Sequence, residues 1–388
     1  MRQFCGIFMA KLKEYERRHP ILIIIWSVLI TALLVAGVMV GLSFRHNTAK
    51  EDEYIVFNNK YIEKELQQIL KKDKITQEDL DSLRTIDIED NQEITEIADL
   101  AKCKKLTQLT IKNCKLNDIS AIEGLNELQV LDLSGNEIKD ITALSKCYSL
   151  TELTLTNNQD ITALSKCYSL TELTLTNNQI SDISPIYGLE KIQKLVIQQN
   201  NIGNIQEGIE KMKSLTFLDL SKNRLVNINQ LAKSERLNFL YVSSNMLSET
   251  PELEGLTNLI LLDLGNNAFS KLGYLGNLEQ LEELDIYSNH LEDFDVLKSC
   301  PNIKRLNISY NEYSRLNGIE QCPDLEFLSM KGTKITDISV LENLHNFNTI
   351  YLDNDFDRSQ IDFMIGNFKN GDEKTKQYLL DKQYNLND

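Results

Sequence analysis

Histidines, cysteines and clustered carboxylates are the residues of this chain that could bind a metal or catalyse a reaction. Four histidines and seven cysteines occur, and they fit no metal-ligand spacing. Asp353-x-Asp355-x-Asp357 resembles the opening of a calcium loop, but Arg358 stands where that loop needs glycine, and no glutamate closes it. The sequence has no glycine-rich phosphate loop and no nucleophile paired with a base. We therefore predict no cofactor, no metal site and no enzymatic activity.

Non-covalent recognition is the second kind of chemistry that the residues permit. Aromatic and acidic side chains recur about every 22 residues in the second half of the chain. Such a mixture is typical of surfaces that bind a protein carrying Lys or Arg. The candidate partner-binding residues are Phe217, Asp219, Phe239, Tyr241, Leu261, Asp263, Glu283, Asp285, Tyr287 and Phe327.

These residues belong to an internal repeat. The template L-x-x-L-x-L-x-x-N fits thirteen times, with a constant step of 22 residues from 215 to 347. Template positions one, four and six are apolar in all thirteen copies, and position nine is Asn in ten of them. The copies start at Leu83, Leu106, Leu128, Leu150, Leu170, Ile192, Leu215, Leu237, Leu259, Leu281, Ile303, Leu325 and Phe347.

The repeat predicts a stack of short parallel strands. The L-x-L alternation points its leucines inward, and an Asn after each strand can satisfy backbone groups of the turn. The return segments often read I-x-D-I-x-x-L, as in Ile138–Leu144, and close the core on the convex side. The pattern resembles the leucine-rich repeat family, which implies an α/β solenoid with a curved parallel sheet and short 3-10 or irregular convex segments.

The candidate residues occupy template positions that face away from this core. Positions 2, 3, 5, 7 and 8 point out of the predicted concave face, so apolar residues there are not required by the fold. Adjacent strands lie about 4.8 Å apart, which predicts one contiguous patch. Lateral stacking between neighbouring strands is the alternative explanation for Phe217, Phe239 and Leu261.

Segments before and after the repeats predict caps. Residues 54–82 contain a helical pattern in which Ile62, Leu66, Ile69 and Leu70 share one face, followed by a second helix start at Thr76. This segment and the 22-residue repeats resemble the bacterial internalin-type surface proteins, which implies binding of proteins through the concave face. The domains predicted are a solenoid over 83–356 and a C-terminal cap and tail over 357–388. Unlike the family pattern, this chain has no Leu-Pro-x-Thr-Gly sorting signal.

An apolar segment near the N-terminus predicts a membrane anchor. Residues 20–44 carry no charged side chain and, as a helix, would reach about 37 Å, enough to cross a bilayer. A cleaved signal peptide is the main alternative, but its apolar region would be shorter. Four basic residues lie shortly before the segment and two shortly after it. The positive-inside rule therefore favours a cytoplasmic leader at 1–19, a linker at 45–53 and an extracellular solenoid.

The charge of the chain argues against nucleic-acid binding. The whole chain has a net charge of −16, and residues 45–388 carry 36 basic and 55 acidic residues, a net charge of −19. A body this acidic repels phosphate backbones.

Cysteine positions predict buried thiols. Cys103, Cys147, Cys167, Cys300 and Cys322 each stand three residues before a repeat start, where other copies have a buried aliphatic residue. Only Cys147 with Cys167 and Cys300 with Cys322, which lie in adjacent turns, are plausible disulfide pairs.

Residues 140–159 recur without change at 160–179. This unit has 20 residues, so it lacks the pair seen as Ile180-Ser181 in the next copy. A tandem duplication, or an error in the reported sequence, explains the identity. The missing apolar residue predicts a local packing gap.

Together these features predict a membrane-anchored, surface-displayed protein that recognises other proteins, as an adhesin or a ligand sensor. An intracellular adaptor similar to the leucine-rich regulatory subunits of protein phosphatases is the alternative. The two differ in the side of the membrane on which the repeats lie.

Overall fold

The computed structural model describes residues 54–156, 161–347 and 349–352. The predicted leader, membrane anchor, linker, C-terminal cap and calcium-like loop lie outside these residues, as does Cys5. No helix within the described ranges is long and apolar enough to span a membrane. The chain divides into two compact units, one comprising residues 1–55 and 74–77, the other residues 56–73 and 78–388.

The first unit is described only at residues 54–55 and 74–77. Tyr54 and Thr76 form an antiparallel bridge, and the Ile55 N–H donates to the carbonyl oxygen of Ile75 at 2.8 Å. The Lys74 ammonium lies 4.6 Å from the centre of the Tyr54 ring.

The described part of the second unit contains one parallel sheet of thirteen strands, each paired only with its neighbours in the chain. One strand falls in each copy of the template, as predicted. The strands are β1 Thr85–Glu89, β2 Gln108–Lys112, β3 Val130–Asp132, β4 Glu152–Thr154, β5 Glu172–Thr174, β6 Lys194–Val196, β7 Phe217–Asp219, β8 Phe239–Tyr241, β9 Leu261–Asp263, β10 Glu283–Asp285, β11 Arg305–Asn307, β12 Phe327–Ser329 and β13 Thr349–Tyr351.

Within the described residues, two α-helices precede the sheet, and 3-10 helices form most return segments. Helix α1 (Lys60–Leu70) buries Ile62 and Leu66, and α2 (Gln77–Ser82) buries Leu80. The 3-10 helices are Ala98–Lys102, Ser120–Gly124, Thr142–Lys146, Thr162–Lys166, Ser184–Ile186, Ile209–Lys211, Asn229–Lys233, Asp295–Ser299, Ile319–Gln321 and Ser339–Asn343. Before several of these helices, the aspartate of the D-I-x-x-L motif accepts a hydrogen bond from the backbone N–H two residues later. The Asp140 carboxylate, for example, accepts the Thr142 N–H at 2.8 Å.

The core lies on one face of the sheet. Template positions one, four and six are buried in all thirteen copies. Positions three, five and seven lie on the opposite face, called here the open face.

A sharp turn follows each strand and is held by asparagine. The residue at position eight has a positive φ in every described copy, for example 58° at Gln199 and 56° at Lys222. The next residue, Asn200, donates from Nδ2 to the carbonyl oxygens of Leu175, Ile197 and Gln198 and accepts the Ile180 N–H at 3.0 Å. The same three-carbonyl pattern recurs at Asn136, Asn178, Asn223, Asn245, Asn267, Asn289 and Asn311. The predicted role of the asparagine is confirmed for these eight residues.

Helix α1 is tied to the first copies by buried polar contacts. The Asp99 carboxylate, 1% exposed, accepts the backbone N–H groups of Asn58 and Asn59 at 2.8 Å each and pairs with Lys102 at 2.6 Å. At position nine of the first copy, Asn91 donates to the Glu65 carboxylate of α1 at 2.7 Å.

All six described cysteines are buried free thiols, so the prediction of buried thiols is confirmed for them. Neither Cys147 with Cys167 nor Cys300 with Cys322 is bridged.

The duplicated segment supplies β4 and β5, which pair Glu152 with Glu172, Leu153 with Leu173 and Thr154 with Thr174. Residues 157–160 lie outside the described residues, so the packing gap stays a prediction.

Candidate functional site

The ten candidate residues lie together on the open face of the sheet. Position three forms one row across adjacent strands, and position five forms a parallel row. The first row is Phe217, Phe239, Leu261, Glu283, Arg305 and Phe327, and the second is Asp219, Tyr241, Asp263, Asp285, Asn307 and Ser329. Tyr287 follows directly after β10 at position seven.

Aromatic residues of β7 and β8 contact one another. The Phe217 ring lies 6.0 Å from Phe239 and 5.3 Å from Tyr241, measured between ring centres. All three side chains stay partly exposed. Lateral stacking therefore accounts for one side of these rings and leaves another side open to solvent.

Three aspartates of the position-five row, Asp219, Asp263 and Asp285, are poorly exposed and lack cationic partners. Asp219 is 6% exposed and Asp263 is 8% exposed. Each accepts a backbone N–H two residues later at 2.9 Å, from Ser221 and Gly265 respectively. Among the described residues, none of the three carboxylates has a Lys, Arg or His nitrogen within 4 Å.

This environment shifts the pKa of several groups. Burial, together with the nearby charge of Asp263, raises the pKa of Asp285 to about 6. Burial also raises the pKa of Asp263, although hydrogen bonds from Ser243 and Gly265 oppose the shift. The pKa of the Tyr241 phenol is raised by burial and then by the carboxylates of Glu283 and Asp219. Negative charge is thus concentrated at Asp219, Asp263 and Asp285, and Arg305 offsets only part of the shift at Asp285.

Tyr287 reaches sideways across β9. Its ring lies on the backbone of Gly265, since a β-carbon built there would stand 2.1 Å from Tyr287 Cε1. The Ser243 side chain, two residues after β8, interacts with both Asp263 and Tyr287. Sequence reasoning missed Gly265 and Ser243. The signal for Gly265 was a glycine at position seven, where the neighbouring copies have Ser243 and Tyr287.

Arg305 is a further residue of this face that sequence reasoning left out of the candidate set. Its Nε lies 3.4 Å from the Glu283 carboxylate, and its guanidinium lies 4.3 Å from the centre of the Phe327 ring. Phe327 in turn meets Tyr351 edge to face at 5.0 Å. Arg305 is therefore already engaged by a carboxylate and a ring.

Within the described ranges, no group of three or more His, Cys, Asp or Glu is placed to hold a metal ion. Burial raises the pKa of the Cys147 and Cys322 thiols to about 12, which disfavours the thiolate that a nucleophile needs. The arrangement on the open face is suited to contact with another molecule.

Comparison with known proteins identifies the repeat and the fold. Two family models match, "Leucine Rich repeats (2 copies)" over residues 126–166 and "Leucine rich repeat" over residues 190–247. The chain is a leucine-rich repeat protein. It is 26% identical over 185 residues to the leucine-rich repeat-containing G-protein coupled receptor 5 of Rattus norvegicus. The match covers 46% of this chain and 16% of that receptor.

Solved structures share the fold of this leucine-rich repeat protein. An internalin from Listeria monocytogenes aligns with a TM-score of 0.73 at 24% identity, covering 82% of this chain and 96% of the internalin. A plant peptide hormone receptor in complex with RGF2 aligns with a TM-score of 0.51 at 24% identity, covering 73% of this chain and 57% of the receptor. The resemblance to internalins is thus one of architecture.

Proposed function

We propose that this leucine-rich repeat protein recognises a protein or peptide ligand through the open face of its sheet and performs no catalysis. The observation that carries the proposal is the pair of in-register rows on β7 to β12. There, partly exposed aromatic rings stand beside Asp219, Asp263 and Asp285, which form no ion pair with a described residue. Aromatic anchors in such a setting supply most of the binding energy at protein interfaces. Unpaired carboxylates favour a partner that carries basic residues.

The fold neighbours support this kind of role. The plant receptor with the same fold is described as a peptide hormone receptor in complex with RGF2. A rigid sheet of parallel strands presents side chains at fixed spacing, so it suits recognition by complementary shape.

The proposal places the repeats outside the cell, anchored by residues 20–44. Support for this comes from the 25-residue stretch without charged side chains and from the excess of basic residues before it. The same stretch implies contact with a lipid bilayer. Adhesion and ligand sensing are the two roles that a displayed recognition surface of this kind would serve.

Protease shaving of intact cells tests the location. An antibody against the C-terminal tail should lose its epitope when unbroken cells are treated with protease. Protection in intact cells, with loss only after lysis, would favour the intracellular adaptor. A folded cytoplasmic domain that the protease cleaves in lysates serves as the control for cell integrity.

A pulldown tests the surface. The double variant Phe239→Ala with Tyr241→Ala should lose the partner that the wild-type chain captures. The matched control is Glu152→Ala with Thr154→Ala, which changes positions three and five of β4 instead of β8. Circular dichroism should be unchanged for both variants. Retained capture by the β8 variant would contradict the proposed surface.

A further inference from the structure

The aspartates that lack a cationic partner indicate the chemistry of the ligand. This inference rests on the proposed function. Asp219 and Asp263 are each more than nine-tenths buried and still have no cationic partner among the described residues. A buried carboxylate without a counter-charge is costly, because burial removes its hydration. A cation brought by a ligand would offset that cost.

Aromatic rings flank the same carboxylates. Tyr241 precedes Asp263 in the position-five row, and Asp285 follows it. The Tyr287 ring, held over Gly265, reaches past Asp263 towards Ser243. A cation between these rings would gain attraction from their faces as well as from the carboxylates.

The open face already contains one arrangement of this kind. Arg305 lies between the Glu283 carboxylate at 3.4 Å and the Phe327 ring at 4.3 Å. Arg305 thus contacts a carboxylate on β10 and a ring on β12. The equivalent groups on β8 to β10 have no such occupant within the chain that the structure describes.

We propose that Tyr241, Asp263, Asp285 and Tyr287 form a seat for an arginine side chain of an extended segment of the partner protein. This arginine seat spans two in-register aspartates on adjacent strands, about 4.8 Å apart. A planar guanidinium presents several donors to two carboxylates while its flat face rests on an aromatic ring. A lysine ammonium is a point charge that matches the rings less well.

Binding in the arginine seat should depend on pH. The charged groups facing Asp285 are Asp263 on β9, Arg305 on β11 and Glu283 on its own strand, with Asn307 and Tyr287 nearby. The pKa of Asp285 in the free protein is about 6. Protonation below that value removes one of the two carboxylates, so ligands should be released between pH 7 and pH 5.

Selection from a random twelve-residue peptide library tests the arginine seat. The probe is the displayed library itself, panned at pH 7.5 against the full-length chain in detergent micelles. We expect enriched peptides to share an arginine. Replacing that arginine by citrulline, or introducing Asp263→Asn with Asp285→Asn, should weaken binding about tenfold or more. The matched control Asp87→Asn, at position five of β1, should leave the affinity unchanged.

Other outcomes separate this inference from the proposed function. Enriched peptides without a cation that need Phe239 and Tyr241 would overturn the arginine seat and leave recognition by the open face intact. Peptides that bind equally well with lysine in place of arginine would overturn the assignment of arginine. Absence of any peptide that depends on the open face would overturn both proposals. An affinity that does not fall between pH 7 and pH 5 would also contradict the seat.

Discussion

The ring of Tyr287 rests on the α-carbon of Gly265 in the neighbouring copy, leaving no room for a β-carbon at residue 265. This contact lays a residue from position seven of one copy over position seven of the preceding copy. It thereby sets one side of the proposed arginine seat without any direct bond to a ligand.

Gly265→Ala should therefore displace Tyr287. Because the clash is with a side-chain ring, the ring will move, at a cost of about 1–3 kcal/mol in unfolding free energy. In a Tyr287→Ala background the same substitution should cost little, and a double-mutant cycle from urea unfolding measures the difference. Gly203→Ala is the matched control, because no atom lies within 4 Å of a β-carbon there. Equal costs in both backgrounds would mean that Tyr287 is not the obstacle.

Asp285→Asn should stabilise the free protein at pH 7.5 while impairing ligand binding. The folded pKa of Asp285, about 6, lies above the ordinary value of 3.8. The folded state therefore binds the proton more tightly, and stability falls as pH rises from about 4 through 6. The neutral amide removes this penalty, an effect of about 1–3 kcal/mol. Urea midpoints at pH 5 and pH 7.5 measure it, and a variant no more stable than wild type at pH 7.5 would refute the argument.

Asn200→Ala should destabilise the sheet strongly. The Asn200 side chain satisfies three carbonyl oxygens and one N–H of two neighbouring turns, and alanine replaces none of these bonds. Each buried group left unsatisfied costs about 1–3 kcal/mol, so a total of several kcal/mol is expected. Asn201→Ala makes the same substitution at the next residue and serves as the control. Similar melting temperatures for the two variants would contradict the role of the asparagine at position nine.

Asp99→Asn should loosen the segment that enters α1. Burial opposes the charge of Asp99, but the Lys102 ammonium and the N–H groups of Asn58 and Asn59 hold its pKa below the ordinary value. A lowered pKa means that the stabilisation is present above about pH 4 and is lost as pH falls through the folded pKa. The substitution should cost about 1–3 kcal/mol and speed hydrogen exchange at the Asn58 and Asn59 amides. Unchanged exchange at those amides would argue that the carboxylate contributes little. Asp87→Asn is the surface control.

The six described cysteines should resist thiol reagents in the native state. Burial raises the pKa of Cys103 and Cys147 to about 12 and that of Cys167 to about 11, so little thiolate exists at pH 8. Denaturation without reductant should release all six for titration. Fewer reactive thiols after denaturation would indicate disulfides that the structure does not contain. Titration after denaturation with reductant gives the total number of thiols.

The sequence was sufficient to predict the sheet because its determinants are local and repeated. Leu218 and Leu240 fall at the same template position, and each strand needs only its neighbour to complete the pairing. The turns were equally predictable, since the asparagine at position nine satisfies the same backbone groups in eight of the described copies.

The candidate surface could be predicted only in part. Template positions placed Phe239 and Asp263 on one face, but they do not specify contacts between copies. The reach of Tyr287 over Gly265 and the engagement of Arg305 by Glu283 and Phe327 depend on side-chain directions, which the template leaves open. Asp99 was missed for a similar reason, because its partners Asn58 and Asn59 lie about 40 residues earlier.

The pairing of β4 with β5 joins two identical segments in register. Since every strand contacts only its neighbours in the chain, copying one unit lengthens the sheet without altering the pairings on either side. Gene duplication can therefore add a whole repeat in a single event without disturbing the rest of the sheet. The number of strands between β1 and the candidate surface thus becomes a trait on which selection can act, in increments of about 4.8 Å.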